Sequence, residues 1–167
     1  EPSRWGTGPD DAPSSITLPG GVPTYHYDVA EHGTATAIPP GSSDVTNTFD
    51  DDSSSHWSVS ARRSTIQYCF KNHSKHAVRL YTITSAKDRP QADPRDWQLQ
   101  GSDDGERWLT LDRRTKEPFT WRQQTRVFLT RNQTPFACYR FNFEANHGGN
   151  MTQVAEIELI GEAEAAQ

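Results

Sequence analysis

The 167-residue chain has the length of one ordinary domain and can bury roughly 70% of the surface that its unfolded form exposes. Hydrophobic residues make up 32% and charged residues 23%, so the core must be small and drawn from seven Phe, five Tyr and five Trp, which argues against a helical bundle. Seventeen basic against 22 acidic residues leave a formal charge of -5, the wrong sign for condensing on a nucleic-acid backbone, and no apolar run approaches the roughly 20 residues of a membrane span.

Residues 1–44 are rich in Pro, Gly, Ser and Thr and read as an N-terminal extension, within which 16–18 and 25–29 form short strands laid against the main body. From Val45 onward the pattern changes to short runs of period-two alternation bounded by turn residues. These predict strands over 65–70, 78–84, 97–100, 108–111, 126–130, 138–143 and 153–160. In 138–143, Tyr139, Phe141 and Phe143 face one side while Arg140 and Asn142 face the other. In 153–160, Val154, Ile157 and Leu159 are apolar, but Ala155-Glu156 breaks the alternation and predicts a bulge or a bound group there. Strands of this number and spacing predict an all-β antiparallel sandwich of jelly-roll type over 45–162, with a tail at 163–167.

The sequence carries no nucleophile elbow, no HExxH, no P-loop and no GxGxxG, and its six His are scattered. Asp103-Asp104-Gly105 reads as hairpin chemistry and not as an acid–base pair. Cys69 and Cys138 have neither zinc nor CxxC spacing, leaving a single disulfide or two inert thiols. The run Phe49-Asp50-Asp51-Asp52-Ser53-Ser54-Ser55-His56-Trp57 packs hard oxygen donors into one loop ahead of an aromatic anchor. Calcium takes six to eight oxygens at about 2.3 to 2.6 Å, and adjacent carboxylates repel unless solvated or bridged by a cation. From this loop alone, a solvated acidic turn and a cation site are equally good readings.

The segment from Val45 to Gly161 resembles the discoidin, or coagulation factor V/VIII type C, family, which includes family 32 carbohydrate-binding modules. The residues that carry the resemblance are Asp50-Asp51-Asp52-Ser53-Ser54-Ser55-His56-Trp57, the strand Thr65-Ile66-Gln67-Tyr68-Cys69-Phe70, and the run from Asp93-Pro94-Arg95-Asp96-Trp97 through Gly101-Ser102-Asp103-Asp104-Gly105 to Trp108. The series closes with Cys138-Tyr139-Arg140-Phe141-Asn142-Phe143, then Asn146-His147-Gly148-Gly149 and Gln153-Val154-Ala155-Glu156-Ile157-Glu158-Leu159. Each is weak alone; the series in this order is specific. The flavour of 85–97 is most similar to modules appended to bacterial glycoside hydrolases such as family 92 mannosidases.

The resemblance implies a structural calcium ion held by side chains of Asp50, Asp52 and Ser55, backbone carbonyls of Asn47, Ser55 and Ala155, and the Glu156 carboxylate. At Asp51 the family has Gly, which takes positive φ without cost. It also implies a sugar site on the loops 58–64, 86–96 and 146–152, with Trp57, Lys87, Asp88, Arg89, Asn146 and His147 as candidate contacts. Ser58 stands where galactose-binding relatives have His, so no galactose preference is expected. Trp57, Trp97 and Trp108 fall at the family's core positions, whereas Trp121 is either a stacking surface or a gap filler. Similar folds place the Cys69 and Cys138 strands in one sheet, which makes the two cysteines candidate cross-strand neighbours. The function implied is non-catalytic glycan binding that delivers an attached enzyme or surface protein, outside the cell or at its surface. A protein-interaction or adhesion module of the same fold is the alternative. The polar loop tips argue against membrane insertion.

Overall fold

The structure, a computed structural model, describes residues 14–17 and 23–162. The predicted tail and the first part of the extension, with Leu18 of its first strand, lie outside the described residues. Among the described residues twelve strands follow in chain order: β1 (Ser14–Thr17), β2 (Pro23–Asp28), β3 (Thr34–Ile38), β4 (Trp57–Val59), β5 (Ser64–Cys69), β6 (Val78–Thr84), β7 (Pro94–Ser102), β8 (Leu109–Arg114), β9 (Thr125–Leu129), β10 (Cys138–Asn146), β11 (Thr152–Val154) and β12 (Glu156–Glu162). Short 3-10 turns occupy Val45–Phe49, Lys71–His73 and Pro90–Ala92.

The strands form two five-stranded antiparallel sheets, β1-β2-β12-β6-β9 and β3-β5-β10-β7-β8, with a ribbon β11-β4 alongside. The alternation in β10 sets the core: Tyr139, Phe141 and Phe143 are buried against the other sheet, while Arg140 and Asn142 stay on the outer face. Ile66, Leu99, Tyr81, Ile157 and Leu159 fill the same layer, and Trp57 and Trp97 are wholly buried in it. The polar ends of the buried aromatics are satisfied, because the Trp97 indole donates to the Tyr81 hydroxyl (2.8 Å), which donates to Asp112 (2.7 Å), itself held by Arg114 (2.9 Å). An unpaired buried donor costs about 1 to 3 kcal/mol, so this relay is what lets two large aromatics share the core.

Two expectations need correction. The sandwich does not begin at Val45: β2 pairs β12 through Ile160 opposite Asp28, and β3 pairs β5 along Thr34–Ile38. The Thr-Ala-Thr-Ala-Ile run of β3 is an edge strand with small inward residues, whose alternation is too weak in hydrophobicity to stand out among its Pro and Gly neighbours. Nor is 153–160 one strand. It divides at Ala155, where β11 pairs β4 and β12 pairs β6, so the broken alternation is a change of sheet. The open question over the cysteines is resolved by register: Cys138 lies directly opposite Cys69, and the two are bonded.

Candidate functional site

The division at Ala155 brings the start of β12 to the acidic loop. Asp44 caps the turn Val45–Phe49 by accepting from the Thr46 amide (2.9 Å). Two nested turns follow, in which Asp50 Oδ1 accepts from the Asp52 amide (3.0 Å) and Asp52 Oδ1 accepts from the amide and hydroxyl of Ser54 (2.8 and 2.6 Å). Asp51 between them adopts φ +58, the left-handed conformation that Gly would take freely, so the loop keeps its turn despite the substitution.

Inside the loop the Ser55 hydroxyl lies 2.7 Å from Asp50 Oδ2, 2.9 Å from the Asp52 carbonyl and 3.2 Å from the Asn47 carbonyl. One hydroxyl proton serves one acceptor well, so three oxygens converge on a group that cannot satisfy them all. Glu156 is 0% exposed, and among the described residues neither of its carboxylate oxygens has a hydrogen-bond partner of ordinary geometry. Burial, with the Asp50 and Asp51 carboxylates beside it, pushes the Glu156 carboxyl up to about 11. Asp28, at the end of β2, adds to this acidic junction. Its carboxyl accepts from the amides of Ala30 (2.9 Å) and Leu159 (3.2 Å), and burial, reinforced by Asp51 and Glu31, raises it to about 7.

Of the proposed ligand set, Asn47, Asp50, Ser55 and Glu156 are thus brought together, with Ala155 adjoining. Asp52 turns its carboxylate into its own turn and offers the junction its carbonyl instead. Among the described residues no group of three His, Cys, Asp or Glu side chains forms a ready metal cluster. The junction is built of two carboxylates, a hydroxyl and backbone carbonyls, which is the donor chemistry calcium accepts.

The loop end lies between residues 58–64, 85–96 and 146–151, and backbone contacts fix its frame. The amide of Gly149 donates to the Gln91 carbonyl (3.0 Å) and that of His147 to the Asp93 carbonyl (3.2 Å). A Cβ at Gly149 would sit 2.9 Å from that Gln91 oxygen, so this approach requires glycine. Asn146 is buried and donates to the carbonyls of Gly149 (3.0 Å) and Met151 (2.9 Å). From behind, Arg122 binds the buried Asp93 carboxylate with both terminal nitrogens and also donates to the carbonyls of Ala86 and Asp88 (3.3 Å each).

A buried pair broken on one side costs about 3 to 5 kcal/mol. Because the Arg122 side chain is 25% exposed, Arg122→Ala is expected to cost less, about 2 kcal/mol. Equilibrium denaturation checks this, and a variant with the wild-type midpoint would show that the loops hold without the clamp.

On the open side of this frame is a depression of about 460 Å³ lined by Ser60, Arg89, Gln91, Gly149, Asn150 and Met151 among others. Next to it, and sharing Gly148, is a second of about 290 Å³ bordered by Arg62, Arg63, Arg95, Glu144 and Asn146. Arg89 is exposed at φ +54, its guanidinium 3.7 Å from the Met151 sulfur. Lys87, Asp88 and His147 are also exposed, although the His147 ring is 2.8 Å from the Glu117 carbonyl.

Trp57 is a correction. It is 0% exposed with its indole N–H toward the Pro40 carbonyl (3.3 Å), and so belongs to the core and not to a ligand surface. Trp121, by contrast, is 52% exposed. Asp28, Arg62, Arg63 and Arg122 carry weight that the sequence pattern does not single out. The adjacent arginines at 62–63 gave no signal of their own, because the same pair recurs at 113–114. Asp104 is confirmed as a turn residue, held near 2 by the amides of Arg107 and Glu106.

No family model matches the chain. Its fold is that of solved family 32 carbohydrate-binding modules. The module of Clostridium perfringens NanJ in complex with galactose superposes with a TM-score of 0.67 at 12% identity, covering 80% of this chain and 96% of that one. The family 32 module of Streptococcus pneumoniae EndoD gives 0.67 at 10% identity over 82% and 100%. A third, from AlyQ in complex with 4,5-unsaturated mannuronic acid, gives 0.63 at 16% over 84% and 98%. A peptide-N(4)-(N-acetyl-beta-glucosaminyl)asparagine amidase of Arabidopsis thaliana is 35% identical over 89 residues, which is 50% of this chain but 12% of that protein.

Proposed function

We propose that the chain is a non-catalytic carbohydrate-binding module, stiffened by a calcium ion at the acidic junction. It delivers a larger extracellular or cell-surface protein to glycan. The observation that carries this reading is the loop end: an open polar depression on a backbone frame fixed from behind, with guanidinium and amide groups at its rim and no nucleophile–base pair in it. Planar, bidentate groups of this kind grip vicinal hydroxyls. The sequence match to an amidase named for a glycan–asparagine linkage is consistent with a module attached to a glycan-directed enzyme.

At the junction, Asp50 and Glu156 would supply carboxylates, Ser55 its hydroxyl, and Asn47, Asp52 and Ala155 carbonyls. The calcium would contribute the positive charge that these oxygens lack. The chain's own residues tie strand β12 to the acidic loop, joining segments far apart in sequence.

An open site buries little ligand area, so affinity should be modest, on the order of 0.1 to 1 mM. A glycan array followed by calorimetry on the best ligand tests the reading, with Arg89→Ala expected to weaken binding about tenfold at an unchanged melting temperature. Absence of binding to every neutral and acidic glycan would hand the fold to the protein-interaction reading.

A further inference from the structure

The two depressions at the loop end form one surface through Gly148, and its charge opposes that of the whole protein. Arg89 borders the first depression; Arg62, Arg63 and Arg95 border the second. Arg95 is neutralised by a bidentate pair with Asp96, both bonds at 3.0 Å. Lys87 and Asp88, exposed side by side just before Arg89 in the chain, offset each other. Among the described residues Arg62 makes one hydrogen bond, 3.2 Å to the amide oxygen of Asn150, and both Arg62 and Arg63 are exposed. One carboxylate among the described residues lines the second depression, that of Glu144, and it already accepts from Gln98 (2.7 Å). Arg62, Arg63 and Arg89 therefore outnumber Glu144 in a chain whose formal charge is -5.

We propose that the second depression seats the anionic group of an acidic glycan, a uronate carboxylate or a sulfate ester, while a neighbouring sugar ring occupies the first. This rests on the glycan-binding reading and specifies its substrate class. The physical reasons are two. Arginine presents a planar fork of donors that matches a carboxylate or sulfate two bonds at a time, and charge-assisted bonds of this kind are roughly twice as strong as neutral ones. Neutral sugars give a cluster of exposed like charges no compensation, whereas an anion relieves the repulsion between Arg62 and Arg63 as it binds. The shallow shape fits an oligosaccharide substituent. It also fixes the order along the chain, with the acidic residue over Gly148 toward Arg63 and its neighbour toward Gln91 and Met151.

The test is calorimetry with the intact chain in calcium buffer. The probes are trisaccharides of galacturonate and mannuronate, their carboxyl-reduced counterparts, and a neutral galactose disaccharide with and without a sulfate ester. The acidic or the sulfated form is expected to bind at least about tenfold more tightly than its neutral partner. That preference should fall toward unity in 0.5 M salt and in the Arg62→Ala/Arg63→Ala double variant, with the melting temperature unchanged. Arg63→Lys should restore part of it, since the charge returns without the fork. Preference for the uronates alone or for the sulfate alone identifies which anion the arginines read, and either supports the proposal. Equal binding of the acidic and neutral partners overturns the proposal and leaves the glycan-binding reading standing. Binding of none of them overturns both. Capture by phosphatidylserine vesicles with no affinity for either acidic sugar would assign the arginines to a membrane surface and likewise overturn it.

Discussion

Protein stripped of metal and returned to millimolar calcium is expected to melt roughly 10 °C higher. A ligand present at about a thousandfold its dissociation constant stabilises the folded state by about 4 kcal/mol, and a domain of this size shifts by about 2 to 4 °C per kcal/mol. The shift should depend on pH in a direction that Glu156 dictates. In the metal-free fold its carboxyl holds a proton up to about 11, whereas in the unfolded chain it ionises above roughly pH 4.3. Unfolding thus releases a proton at neutral pH, and raising the pH favours the unfolded chain, by at most about 1.4 kcal/mol per unit from this group. Asp28, raised to about 7, acts in the same sense between roughly pH 4 and 7. A calcium ion bound as proposed would take the place of the Glu156 proton, so the gap between loaded and stripped protein should widen from pH 6 to 9. Glu156→Gln should lose the calcium response and most of the pH slope together. Melting curves that are indifferent to calcium, or flat with pH in chelator, would remove the ion from this junction.

Reduction of the Cys69–Cys138 bond should be the other large perturbation. The bond closes a loop of sequence separation 69, and loop-closure entropy puts its contribution at about 4 kcal/mol. It lies where β5 and β10 meet at one end of the sheet β3-β5-β10-β7-β8, so reduction frees the unfolded chain without removing a core side chain. The double variant Cys69→Ser/Cys138→Ser, held in calcium, is expected to fold but to unfold at markedly lower denaturant. Oxidised and reduced protein sharing one midpoint would refute the assignment of stability to this cross-link.

The fold was legible wherever a strand is buried on one face and therefore alternates strongly. Val78–Thr84 is β6 residue for residue, and the aromatic stripe of 138–143 is the core stripe of β10. The strand expected at 25–29 is β2, laid against the body as read, but β3 was illegible, because an edge strand of Thr, Ala and one Ile owes its conformation to pairing with β5 and not to its own pattern. The oxygen donors of the acidic loop announced themselves by proximity in sequence. Asp28 did not, since only the pairing of β2 with β12 carries it to the same junction. Likewise the Arg122–Asp93 clamp joins two loops that no local spacing connects, and Arg89 was a candidate through the resemblance alone, its place beside the groove being visible only in the structure.

The loop end separates two tasks that many binding sites entangle. Its frame is closed by peptide groups, the Asn146 amide, one glycine and the Arg122–Asp93 pair, while Lys87, Arg89, Arg63 and Gln91 project from that frame and contribute little to holding it. Exchange of those side chains therefore encounters few stability constraints, and selection can rewrite what the module recognises without renegotiating how it folds. A lineage carrying this frame can drift among ligands by single substitutions, and a designer can use it as a socket whose lining is replaceable.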